Sequence, residues 1–113
     1  MVDLIVEIRA AVGHEYDRAA KLNGPTFSSM HEAYAVILEE YEEAQEEAES
    51  FEDQLKDFWG DVKSNKSPIC DMQKTNEYIK NELESMRTTA INAAAEWTQV
   101  AAMCHKAIKS SEK

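Results

Sequence analysis

Two long runs of apolar residues, spaced alternately three and four apart, constrain this chain most. The first is Tyr34, Ile37, Tyr41, Ala44, Ala48, Phe51, Leu55, Phe58 and Val62. The second is Ile79, Leu83, Met86, Ala90, Ala93, Trp97, Val100, Cys104 and Ala107. Such alternation keeps one face of an α-helix apolar and is the heptad seam of helices that pack lengthwise. A half-buried strand would instead alternate every second residue. The pattern predicts a helix from about Ser29 to Val62 and another, whole or broken, from about Asp71 to Ser110.

The flanking signals agree. Ser28 or Ser29 caps this helix; with Ser29 as N-cap, Glu32 falls at the third position of a capping box. Gly60 near the end of this helix is a point where it can fray or kink. Lys63-Ser64-Asn65-Lys66-Ser67-Pro68 reads as a loop, because turn formers cluster there and Pro68 lacks an N–H. An earlier helix, about Val2 to Leu22, carries Leu4, Ile5, Ile8, Ala11, Val12 and Ala19 on one face with Tyr16 at its edge. Asn23-Gly24-Pro25 stops it. Three Gly and two Pro in 113 residues leave little else to break helices. The expected fold is a single all-α domain over residues 1–113. It is a small antiparallel bundle with two long heptad-patterned helices, because a short connection turns the chain back on itself. Three helices leave apolar surface uncovered, so oligomerisation, at least to a dimer, completes the bundle.

Charge narrows the function. The chain holds 22 acidic and 12 basic residues, a formal net charge of −10. Clustered Lys and Arg, which nucleic acids and anionic membranes require, are missing. No run of about 18 apolar residues predicts a membrane span. The N-terminus has no basic region of the signal-peptide kind. Cys70 and Cys104 match no metal-ligand spacing, so free thiols in a reducing cytoplasm are expected. His14, His31 and His105 form no cluster, and His31-Glu32 is not followed by the second His of a zincin. Trp97 falls on the seam and reads as core. Phe58 and Trp59 read as core or as a platform for a base. No Gly-rich phosphate loop is present.

Within the first long helix, Leu38-Glu39-Glu40-Tyr41-Glu42-Glu43-Ala44 places four carboxylates in five positions. Glu40 and Glu43 share a helix face, as do Glu39 and Glu42. Such runs are most often a solvated surface. The alternative is a cation site, because Mg²⁺ takes oxygen ligands and converts the repulsion into attraction. Beside the second seam runs another stripe: Thr89, Asn92, Glu96, Gln99, Met103 and Lys106. If the long helices are antiparallel neighbours, Glu40, Glu43 and Glu96 converge with the Gln99 amide into a Mg²⁺ environment. Glu39, Asn92 and Gln99 are further metal or ligand contacts. Lys106 and Arg87 are candidate phosphate contacts, with Lys80 a weaker one.

Residues 29–44, Ser-Met-His-Glu-Ala-Tyr-Ala-Val-Ile-Leu-Glu-Glu-Tyr-Glu-Glu-Ala, resemble the second helix of MazG-like all-α nucleoside triphosphate pyrophosphatases. Residues 90–103 resemble a later helix of the small MazG-like proteins found in phages. The resemblance spans about a third of the chain, on Glu-rich and Ala-rich helices. It implies that Glu40 and Glu43 are the first metal-binding pair, that Glu96 opens the second, and that Glu39 is the extra acidic residue. It also implies a phosphorylated nucleotide as ligand and Mg²⁺ as cofactor. The family's final Asp is replaced by Gln99, which cannot act as a carboxylate base. Three functions stay open: a nucleotide pyrophosphohydrolase, a degraded relative that sequesters a nucleotide signal uncleaved, and a helical interaction protein.

Overall fold

The computed structural model describes residues 2–64 and 72–112. Among these are three helices and no strand: α1 (Val2–Asn23), α2 (Met30–Ser64) and α3 (Met72–Ser111). The all-α expectation holds, and α3 is one unbroken helix. Lys63 and Ser64, expected in a loop, belong to α2, which also continues through Gly60. The remainder of that expected loop, with Cys70, lies outside the described residues. No described helix is long and apolar enough to cross a membrane.

Residues 24–29 turn the chain sharply. Gly24 takes φ 89°, a backbone position that suits a residue without Cβ. Its N–H donates to Ala20 O at 2.9 Å, the single bond of an αL cap. Tyr16 Oη donates to Pro25 O at 2.8 Å, and Phe27 N–H donates to Ser110 Oγ at 2.7 Å. The Ser29 cap forms, with Glu32 N–H donating to Ser29 Oγ at 3.1 Å. The return bond differs from a capping box. The Glu32 carboxylate accepts from Ser28 N–H at 3.2 Å and from Ser28 Oγ at 2.9 Å.

The chain divides into two compact units, Met1–Ala44 with Ala94–Lys113, and Gln45–Ala93. In the first, Phe27 bonds Ser110 while Tyr41 meets Trp97. Rising numbers on one side pair with falling numbers on the other, so α2 and α3 run antiparallel there. The core of this unit is Ala19, Phe27, Ala33, Ala102 and Met103, flanked by Val12, Tyr16, Val36, Ile37 and Ala107. Tyr16 also meets His105 edge-on, ring centroids 4.7 Å apart. In the second unit Asp61 pairs with Tyr78 and Glu82. Among its described residues Met86 and Thr89 are the most buried.

The covered stripe shares only every second position with each heptad seam. On α2 the buried or half-buried positions are Ala33, Val36, Ile37, Glu40, Ala44, Glu47, Phe51, Gln54, Phe58 and Asp61. On α3 they include Glu82, Met86, Thr89, Ala93, Glu96, Val100, Met103 and Lys106. Relative to each seam the covered face has turned toward its polar edge. Trp97, expected in the core, keeps 46% of its surface exposed, and Cys104 is exposed. Tyr34, Leu55 and Leu83 are likewise exposed. The physical reason is width: the apolar stripe of each helix exceeds what one neighbouring helix covers.

Candidate functional site

All parts of the site lie in the first unit. Glu40 sits on the covered side of α2 because Ala33, Ile37 and Ala44 share that face. Glu43, one turn on, stays exposed, while Glu96 approaches half-buried from α3. One carboxylate oxygen from each of Glu40, Glu43 and Glu96 lies within 4.8 Å of the others. The sequence-derived trio therefore converges. Three hard oxygen donors in one place fit Mg²⁺ or Ca²⁺ chemistry and not a thiolate or imidazole metal.

Glu40 registers the crowding. Burial, followed by the charges of Glu43, Glu96, Glu39 and Glu15, pushes its carboxyl above the ordinary range. Gln99 partly relieves it. With the amide turned to satisfy its neighbours, Nε2 donates to Glu40 Oε2 at 2.9 Å and to Glu96 Oε2 at 3.2 Å. The opposite orientation would set its carbonyl oxygen against two carboxylates, so network chemistry selects the first. Gln99 thus bridges α2 and α3 as a neutral double donor.

Glu40, alone of the three carboxylates, lines a pocket of about 410 Å³. Glu15, Arg18, Ala19 and Asn23 of α1, Phe27 from the turn, Glu32, Val36 and Glu40 of α2, and Gln99, Met103 and Lys106 of α3 line it. Arg18 is committed to Glu15, with Nη2 on Oε1 at 2.5 Å and Nε on Oε2 at 3.0 Å. That pairing holds the Glu15 carboxyl below its usual range. Lys106 keeps only 5% of its surface exposed, with Nζ 4.5 Å from the Phe27 ring centre.

Other expected contacts fall elsewhere. Glu39 is exposed and acts on Glu40 only through charge. Asn92 and Arg87 are exposed, belong to the second unit and do not line the pocket; Lys80 is exposed as well. The α1 wall of the pocket is absent from the sequence-derived site. A signal for it exists: Glu15 and Arg18 are three apart, beside the apolar face that carries Ala19.

A second acidic group lies in the other unit. Glu82 shares a hydrogen bond with Asp61, which together with burial and the Asp61 and Asp57 charges raises its pKa to about 7. A proton held between two carboxylates relieves their repulsion without a cation.

Comparison of the chain with family models, curated proteins and solved structures finds no match.

Proposed function

We propose that this is a MazG-like helical protein that binds a phosphorylated nucleotide through Mg²⁺ held by Glu40, Glu43 and Glu96. The observation that supports it most is the meeting of three carboxylates within 4.8 Å beside a pocket of about 410 Å³. A pocket of that size suits a nucleotide-sized ligand. When bound, the ion supplies the charge that lets carboxylates and phosphates occupy one site. The chain's own groups do the rest. Glu40, Glu43 and Glu96 would hold the ion, and Gln99 holds the Glu40 and Glu96 carboxylates in place.

Gln99 favours binding without turnover. An amide neither accepts a proton from water nor adds the charge a second ion requires. On this reading the protein sequesters a nucleotide-derived signal and leaves it intact; a pyrophosphohydrolase is the alternative. Calorimetry with a nucleotide panel should show binding that Mg²⁺ tightens about tenfold or more, a gain that is lost in Glu43→Ala and Glu96→Ala. Pyrophosphate release by the wild-type protein would favour the enzyme. Binding unaffected by either substitution would remove the metal assignment, and no binding of Mg²⁺ or of any nucleotide would leave a plain helical interaction protein.

The uncovered seam supports self-association. Tyr34, Tyr41 and Trp97, at 68%, 42% and 46% exposure, offer the aromatic anchors such interfaces favour. A second copy carries the same stripe and satisfies it in a two-fold arrangement. Sedimentation velocity should give a dimer or larger, and Trp97→Glu should shift it toward monomer. A wild-type monomer at about 100 μM, an order-of-magnitude working concentration, would refute this.

A further inference from the structure

We infer that Lys106 forms an oxyanion subsite that binds a phosphoryl group without any metal. The inference deepens the nucleotide reading by naming a second grip on the ligand, and it rests on different residues. Lys106 is about as buried as Met103, retaining 5% exposure. Among the described residues it makes no ion pair within 4.0 Å. Burying a cation without a paired anion is costly. Yet its side chain lines the pocket. The other cation there, Arg18, is already neutralised by Glu15.

The ammonium is also held in position. Its Nζ lies 4.5 Å from the Phe27 ring centre, a contact favourable to a desolvated cation. Phe27 is fixed in turn, since its N–H donates to Ser110 Oγ at 2.7 Å and Ser110 Oγ donates to Lys106 O at 2.8 Å. The ring and the lysine are therefore tied to one turn of α3. Glu32 is the carboxylate on which the Lys106 charge acts, but its oxygens are engaged by Ser28. The ring covers one side of the ammonium and leaves hydrogen-bond donors for the pocket. A phosphoryl oxygen provides the negative charge and acceptor geometry they lack.

The test is binding of inorganic pyrophosphate, and separately of a nucleoside diphosphate, to the wild-type protein in excess chelator. Saturable binding of both is expected, with sulfate weaker. Lys106→Met keeps the apolar stem and should lose about tenfold or more in affinity. Lys106→Arg should retain most of it, because guanidinium also serves the ring and the phosphate. Lys56→Met, an exposed lysine of the other unit that does not line the pocket, should leave binding in chelator unchanged. No saturable pyrophosphate binding by the wild-type protein in chelator, alongside Mg²⁺-dependent nucleotide binding, would overturn this inference and spare the metal reading. The converse pattern would do the opposite. Equal affinity of wild type and Lys106→Met would also overturn it, leaving a lysine that merely buries its stem. The wild-type titration alone can refute the subsite, whether or not the Met variant folds.

Discussion

In chelator at pH 7.5, Glu40→Gln melts above the wild-type protein; in excess Mg²⁺ the order reverses. The crowding at Glu40 sets the first half. Burial and the charges of Glu43, Glu96, Glu39 and Glu15 all disfavour its ionised form. Gln at position 40 removes that charge and still accepts from Gln99 Nε2 through its amide oxygen. The gain is about 1 kcal/mol, kept small because like-charge pairs on helices cost only tenths each and solvent screens them. The pH dependence has a definite sign. The Glu40 carboxyl is raised in the folded state, so its stabilisation is full below the ordinary glutamate range. It is lost as pH rises through the raised value. The gap between variant and wild type in chelator should therefore widen as pH rises out of the ordinary glutamate range and level off above the raised value. Mg²⁺ inverts the ranking because only the wild type keeps three carboxylate donors. At a hundred times its Kd, a ligand of the folded state adds about 2.7 kcal/mol, on the order of 10 °C for a chain this size. Thermal melts of the two proteins with chelator and with Mg²⁺ check both halves. An equal Mg²⁺ response in both would remove Glu40 from the site.

The carboxylate trio was legible because its logic is local. Glu40 and Glu43 share a face by spacing alone, and Glu96 falls on the stripe beside the opposite seam. Antiparallel pairing then brings these faces together. The depth of the helices' rotation was not legible. A heptad seam marks the widest apolar face, and within one chain that face need not be the covered one. Seam position alone places Trp97 in the core, yet Ala33, Ala44 and Ala102 are the side chains that vanish from the surface. Small residues let α2 and α3 approach along the polar edge, and the large residues beside them remain outside. The α1 wall of the pocket was hidden for another reason. Glu15, Arg18 and Asn23 line one pocket with Lys106 because Gly24 and Pro25 reverse the chain, and the angle of that reversal is tertiary. Phe27 has the sequence signature of an ordinary loop residue; its bond to Ser110, 83 positions away, gives it its place.

Gln99→Asp should turn a protein that folds without metal into one that depends on it. Gln99 donates to Glu40 and Glu96 at 2.9 and 3.2 Å. Aspartate removes both bonds and adds a fourth negative charge to a site where Glu40 is already disfavoured. Hydrogen bonds to charged groups contribute about 1.5–3 kcal/mol each, and two in one network do not add fully. A loss of roughly 2–3 kcal/mol in chelator follows, on the order of 10 °C in Tm. Gln99→Leu isolates the hydrogen bonds: it loses both donors without the added charge, so it should fall less in chelator and recover less in Mg²⁺. For the Asp variant, Mg²⁺ should restore stability and bind about tenfold tighter, because ligand charge governs affinity for hard cations. Mg²⁺ titrations followed by Tm and by calorimetry measure this directly. An Asp variant as stable as wild type in chelator would show that the amide does not bridge the carboxylates. Pyrophosphate release supplies the last discrimination. If the variant binds Mg²⁺ more tightly and begins to hydrolyse nucleotide, the wild-type site lacks only that carboxylate. If it binds more tightly and cleaves nothing, Gln99 is one part of a site shaped to hold its ligand intact.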